Sequence, residues 1–305
     1  MGYLRHLRAK WEYQLLTKKE YSKELWEIHQ RLFEYPSFLR GTNVSAIEIV
    51  EDGVIMTLRS PALRLWCPPV DQASVAIKNL NYRQYEQKEL DAFLKLATDC
   101  KTFFDIGANV GLYSIAYAKR FTGRVIAFEA VAVTRNELQR NIELNGPSRI
   151  SVKPFGLSNQ SGDVKFYFDP TIAGAAAGAP LGDEFGVTEC LDCSVRRLDD
   201  LELPDPDIIK IDVEGMELKV FQGGAKTIAR ALPIIQCEML RKWAKRFGYH
   251  PNEIIAFLAQ LGYQCFRLEQ GRFVPFTEMT EETGETNFYF LHTEKHRGIC
   301  EDCIQ

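Results

Sequence analysis

The chain has no run of 18 or more apolar residues, so no segment of it reads as a membrane-spanning helix. It also lacks a dominant charge. Lys and Arg number 37 against 41 Asp and Glu, and a net charge of −4 provides no broad basic field for nucleic acid. No apolar stretch follows the early cations Arg5, Arg8 and Lys10; Glu12 and Lys18 come instead, so no secretory leader is read and a cytoplasmic location is expected. Position 6, where a myristoylation signal needs Ser or Thr, holds His6. No internal repeat is visible. What remains, 46% hydrophobic and 26% charged over 305 residues, is enough to bury a full globular core.

Cysteine is present but not in a pattern that dictates a framework. Cys190/Cys193 and Cys300/Cys303 are C-x-x-C pairs, and His292 and His296 precede the second. These are zinc-ligand types, yet the pairs are far apart in the chain, and on a strand residues three apart point to opposite faces. Reduced, unpaired thiols are the first expectation, with a structural zinc at these four cysteines as the alternative.

The stretch that organises the chain runs from Thr102 to Glu129. An apolar run ends in Phe103-Phe104-Asp105, Gly107-Ala-Asn-Val-Gly111 forms a turn, Leu112–Lys119 reads as a helix, and Val125–Phe128 forms a second apolar run closed by Glu129. This is half of a nucleotide-binding βαβ unit. Gly107 and Gly111 allow a tight turn and a close ligand approach, and Glu129 can accept both hydroxyls of a ribose. A dinucleotide fingerprint would place a glycine where Asn109 stands, and Asp105 would repel a pyrophosphate. It would attract an ammonium or sulfonium, so S-adenosylmethionine (SAM) is the cofactor expected, ahead of NAD.

Residues 1–84 read as an N-terminal extension. Leu4, Leu7, Trp11 and Leu15, then Leu25, Ile28 and Leu32, fall on helical faces. The first 40 residues carry eight Lys and Arg against five Glu, a charge of +3, which allows a weak peripheral-membrane or partner contact; an amphipathic cap packed on the main domain is the first expectation. A β-hairpin turning at Glu51-Asp-Gly53 follows. Residues 85–292 form the main domain. After a helix over Tyr85–Ala97, five buried strands are expected at Phe103–Asp105, Val125–Glu129, Ile150–Phe155, Ile208–Asp212 and Ile234–Glu238, with helices between most of them. That alternation implies a doubly wound, mostly parallel, Rossmann-like α/β sheet. An insertion contributes a strand at Val164–Phe168 and an Ala/Gly-rich loop over Ile172–Gly186. After a helix at Pro251–Leu261, antiparallel strands at Tyr263–Leu268, Arg272–Val274 and Asn287–Leu291 close the domain. Residues 293–305 are a Cys-containing tail.

Asp105-Ile-Gly-Ala-Asn-Val-Gly111, Phe128-Glu129, Asn145-Gly146, Gly162-Asp163 and above all Ile209-Lys-Ile-Asp-Val-Glu-Gly-Met-Glu217 with Gly223-Gly224 resemble the FkbM-type SAM-dependent methyltransferases. The resemblance spans roughly residues 85 to 291. It implies a class I methyltransferase fold and methylation of a hydroxyl oxygen on a sugar or secondary metabolite. Ala130 departs from it, where the family often has proline.

In an open α/β sheet, ligands bind outside the carboxyl ends of the strands, where these acids fall. The expected cofactor residues are Asp105, Gly107, Asn109 and Gly111 around the methionine part, Glu129 on the ribose, and Leu157 with Ser158 by the adenine. Methyl transfer needs alignment of acceptor, carbon and sulfur, and an alcohol holds its proton about as tightly as water, pKa about 15.7. A base or a metal must therefore help. Asp212 is the expected base, with Glu238 or Glu214 orienting a hydroxyl acceptor such as a glycan or glycosylated metabolite; Mg²⁺ held by the same acids is the alternative. A SAM-binding scaffold without catalysis is the reading from a different class. His250, near a helix start, is expected to be solvated or capping, with a role as base the alternative.

Overall fold

The computed structural model describes residues 2–69, 72–83, 85–169, 172–178 and 189–304, with the backbone alone for 172–177 and 301–304. The chain begins with α1 (Tyr3–Glu12), α2 (Lys18–His29), a 3-10 turn and α3 (Tyr35–Leu39). Thr17 opens α2 with a capping box, its hydroxyl accepting from the Glu20 N–H while the Glu20 carboxylate accepts from the Thr17 N–H. The expected packed cap is not what forms: α2 buries no residue and α1 buries Leu7 alone. Trp11 stacks on Tyr21 at 5.1 Å, a contact within the arm, and most of the arm's large apolar side chains stay exposed.

The expected hairpin gains a strand, giving an antiparallel meander of β1 (Val44–Val50), β2 (Gly53–Leu58) and β3 (Arg64–Cys67). Its Val44, Met56, Leu58 and Leu65 belong to the same apolar cluster as Phe103 and Val125 of the main sheet. After α4 (Val75–Asn81) comes α5 (Gln87–Leu96), which buries Leu90, Phe93, Leu94 and Leu96, the face its 3.6-residue period marked.

The main sheet then begins. In chain order it holds β4 (Thr102–Ile106), α6 (Leu112–Arg120), β5 (Arg124–Phe128), α7 (Ala132–Asn145) and β6 (Ile150–Lys153). The chain leaves this sheet through β7 (Gly156–Leu157), β8 (Gly162–Asp169), β9 (Ile172–Ala177) and β10 (Glu189–Arg196), a separate sheet in the order β7-β10-β8-β9. Residues 172–177, expected as loop, are thus paired with β8; 179–186 lie outside the described residues. The chain returns with β11 (Ile208–Ile211), α8 (Glu217–Gly223), α9 (Ala225–Ala231), β12 (Ile234–Glu238), α10 (Arg241–Arg246) and α11 (Asn252–Gln260). It closes with β13 (Tyr263–Glu269), β14 (Arg272–Pro275), β15 (Asn287–His292) and α12 (Arg297–Ile304).

The eight strands lie in the order β14-β13-β15-β12-β11-β4-β5-β6. β12, β11, β4, β5 and β6 are mutually parallel, and β15 is antiparallel to both β12 and β13. Successive residues feed opposite faces, as a period of two demands: Phe103, Val125 and Ile208 enter one apolar cluster, while Phe104, Ile126 and Ile209 enter the other. From β4 the chain first builds outward through β5 and β6, then returns to build the other way through β11 and β12. The order therefore reverses between β4 and β11, and a crevice opens beyond their carboxyl ends.

Candidate functional site

The register sets Asp105 beside Lys210 and Ile106 beside Ile211, so the turn after β4 meets the residues after β11. Gly107 (φ 79°), Asn109 (φ 50°) and Gly111 (φ 92°) occupy the left-handed region. A Cβ on Gly107 would lie 1.9 Å from the carbonyl oxygen of Asp212, so glycine is required there twice over, by torsion and by space. Gly111 serves packing instead: a Cβ would meet Leu138 of α7 at 2.4 Å.

The turn keeps its own amides busy. The N–H groups of Gly107 and Ala108 both donate to the Phe128 carbonyl, Asn109 N–H donates to Glu129 Oε2 at 2.9 Å, and Gly111 N–H donates to Ala108. Glu129 Oε1 accepts from the Val131 N–H, also at 2.9 Å. Glu129 thus ties the turn to the start of α7, and burial raises its pKa to about 7 against those two hydrogen bonds.

Two cavities meet at this turn. Gly107, Asn109, Asp212 and Glu214 line both. The first adds Phe128, Glu129, Ala130, Gly156, Leu157, Phe166 and Met216; the second adds Lys78, Tyr85, Glu86, Tyr113, Lys210 and Glu238. Of the residues expected to hold a cofactor, Gly107, Asn109, Glu129 and Leu157 line the first cavity. Asp105, Gly111 and Ser158 line neither. Asp105 is 1% exposed and accepts from the Ser114 hydroxyl at 2.6 Å, because its alternation in β4 turns it under α6 rather than toward the crevice. Ser158 is buried, its N–H donating to Arg196.

The second cavity holds the acids. Asp212, Glu214 and Glu238 present oxygens that all lie within 4.8 Å of one another, close enough to share a proton or a divalent cation. Asp212 accepts from Lys210 Nζ at 3.0 Å. Burial first, and the charge of Asp212 second, push Glu214 and Glu238 well above the usual carboxylate range. One oxygen of Glu214 is buried without a partner. Glu217, by contrast, is structural: it accepts from the N–H groups of Val213 and Gly215 and from the Tyr249 hydroxyl.

Beneath the acids lies a polar row that the sequence reading did not find. Asp105, Lys210 and Gln236 are register neighbours on three adjacent strands, and Lys210 Nζ sits 4.7 Å from the centre of the Tyr113 ring. Burial would lower the Lys210 pKa, but Asp212, Asp105 and Glu86 outweigh it and raise the value, which keeps the ammonium charged. Lys78 and Tyr85, joined at 3.1 Å, also come from outside the β-strand ends where site residues were sought. Their only sequence signal is their place just ahead of α5.

Cys190 and Cys193 lie on β10, one exposed and one buried, as strand alternation requires. The side chain of Cys303 lies outside the described residues, and His296 Nδ1 accepts from the His292 N–H. Among the described residues, the only group of three or more candidate ligands within reach of one ion is the acid trio. His250 is exposed, its Nδ1 accepting from the Asn252 N–H at the start of α11, the capping place expected for it.

A model of the methyltransferase FkbM domain matches residues 105–265. The hexuronic acid methyltransferase AglP of Haloferax volcanii is 28% identical over 138 residues, 45% of this chain and 56% of that protein. Methyltransferase sdnD of Sordaria araneosa is 29% identical over 151 residues, 39% of this chain and 58% of that one. The matched stretches thus span little more than half the length of these relatives. Among solved structures, a methyltransferase FkbM from Methylobacillus flagellatus KT aligns with a TM-score of 0.40 at 20% identity, covering 63% of this chain and 44% of that one.

Proposed function

Because the chain belongs to the FkbM methyltransferase family, we propose that it moves the methyl group of SAM to a hydroxyl of a sugar or glycosylated metabolite. The observation that carries this reading is the meeting of two differently built cavities at the Gly107–Asn109 turn. Both share Asp212 and Glu214; the first adds Glu129 among apolar walls, whereas the second adds Glu86, Glu238, Lys78 and Lys210.

The first cavity suits a nucleoside. Glu129 still has lone pairs for ribose hydroxyls beyond those used on Asn109 and Val131, and Phe128, Leu157 and Phe166 offer apolar walls for a base. Four of the five amides of the 107–111 turn are already donated within the chain, so it makes a poor cradle for a pyrophosphate. That supports SAM over NAD. When bound, SAM supplies an electrophilic methyl on a sulfonium. The chain's own residues hold the acceptor and take its proton.

Asp212 is the acid assigned to that proton in this reading. Of the three acids it is the one ion-paired to Lys210, which anchors the carboxylate from below. Glu238 and Glu214, whose burial favours their protonated forms, can donate hydrogen bonds and orient the hydroxyl. Lys78 and Tyr85 form the far wall. A glycan acceptor is supported by the chemistry named for the Haloferax volcanii relative and by a polar cavity rich in donors and acceptors. Three converging carboxyls beside the nucleoside cavity also speak against a scaffold without catalysis. The same trio supports a second reading in which Asp212, Glu214 and Glu238 hold a divalent cation that acidifies the acceptor.

The test pairs titration calorimetry with product mass. SAM should bind and NAD should not, and incubation of SAM with hexuronosides and neutral glycosides should add one methyl to an oxygen. Binding of NAD in place of SAM, or a methylated nitrogen or carbon as the product, would overturn the reading.

A further inference from the structure

The helical arm over residues 3–39 takes no part in either cavity, and its surface is unlike the rest of the chain. Thirteen large hydrophobic side chains are exposed among the described residues, and ten of them lie in this arm. Tyr13 is 78% exposed, Phe33 72%, Leu15 71% and Trp26 56%. Exposed apolar side chains concentrated in one arm on this scale mark an interaction surface.

Its charge says what kind of cover it fits. Residues 1–40 carry eight Lys and Arg against five Glu, a charge of +3, whereas the whole chain is −4 and the remainder therefore −7. Among the described residues none of those eight cations is in an ion pair. Arg8 stands one helical turn from both Leu4 and Trp11, so a cation borders the apolar stripe. Protein interfaces are depleted of charge at their core, whereas Trp and Tyr ringed by Lys and Arg match the boundary between lipid and water. Where the arm joins the meander, Arg40, Arg59 and Arg83 line one open recess with Asp91; Arg59 donates to the Thr42 and Leu39 carbonyls, which leaves Arg40 and Arg83 as donors for phosphate. Gln87 lines that recess, and its neighbour Glu86 lines the acid-bearing cavity.

We propose that the arm docks the protein on an anionic lipid surface, with Trp11, Trp26 and Phe33 in the interfacial layer and the arm's cations with the arginine recess on headgroup phosphates. No helix of the described residues is long and apolar enough to cross a membrane, so the contact is peripheral.

Flotation of the full chain with phosphatidylcholine vesicles, and with vesicles half phosphatidylglycerol, tests this. Binding is expected to the anionic vesicles alone and to weaken in 0.5 M salt, where charges are screened. Replacing Arg5 and Arg8 with Gln should weaken binding by about thirtyfold, the worth of two basic residues at such a surface. Trp26→Ser with Phe33→Ser should weaken it by about tenfold or more. All four side chains are exposed, so SAM binding should be unchanged, which separates failure of this proposal from failure of the methyltransferase reading. Equal binding to both vesicle types, or no binding to either, overturns the proposal. A dimer by light scattering that dissociates in the Trp26/Phe33 variant, without vesicle binding, assigns the face to a second copy.

Discussion

If Glu129 must be ionised to accept ribose hydroxyls, affinity for the cofactor should depend on pH in a calculable way. Burial raises its pKa from 4.5 to about 7 in the unliganded protein. The competent fraction is then half at pH 7 and about one part in eleven at pH 6, so the dissociation constant should be about tenfold weaker at pH 6 than above pH 8, and change little beyond that. The sign for stability runs the other way. A raised pKa adds stability that is complete below pH 4.5 and lost as pH rises through 7, about 3 kcal/mol in all. The ligand should therefore raise the melting temperature more at pH 8 than at pH 6. Calorimetry with 5′-methylthioadenosine, which keeps the nucleoside but has no titrating amino group, isolates the effect, and Glu129→Gln should flatten the profile. A flat profile in the unmutated protein would remove Glu129 from the ribose site.

Other consequences are sharper. Gly107→Ala should lower the melting temperature by roughly 4 °C or more and abolish cofactor binding, since its Cβ lies on the Asp212 carbonyl; a wild-type melting curve would contradict the packing. Lys210→Met leaves Asp105 and Asp212 without their buried cation and should cost about 3–5 kcal/mol in denaturant unfolding, whereas a loss below 1 kcal/mol would show that the polar row is not held by this charge. Turnover in excess EDTA should stay within about twofold of that with Mg²⁺ if a carboxylate takes the proton directly; a tenfold loss that Mg²⁺ restores would favour the cation reading.

The parallel core was legible because each strand is a short apolar run closed by an acid or a glycine turn; β4, β5, β11 and β12 are buried as expected, whereas β6, at the sheet edge, is only partly buried. The Gly107 turn was legible because its left-handed torsions restrict the residue types allowed. Asp105 was read toward the crevice because it precedes the turn by two residues, but strand alternation sends it under α6 to Ser114. Lys210 looked like a bystander within Ile209-Lys-Ile-Asp212, since only the pairing of β4, β11 and β12 sets it between Asp105 and Gln236. Lys78, Tyr85 and Glu86 are brought in by the path of the chain between the meander and α5, which has no spacing rule. The helical arm was misjudged because an apolar stripe has the same period whether it meets a core or faces outward.

The proton acceptor is the centre of the account, and Asp212→Asn tests it most directly. The amide keeps the shape and can still accept from Lys210 but cannot take the acceptor's proton. Steady-state kinetics with SAM and a hydroxylated acceptor, run beside Glu214→Gln and Glu238→Gln, should show kcat and kcat/KM falling together by about 10²–10⁴, while SAM affinity stays within a few-fold. Full turnover in Asp212→Asn, with the large loss appearing in Glu214→Gln or Glu238→Gln, would contradict the assignment and move the proton to that carboxylate.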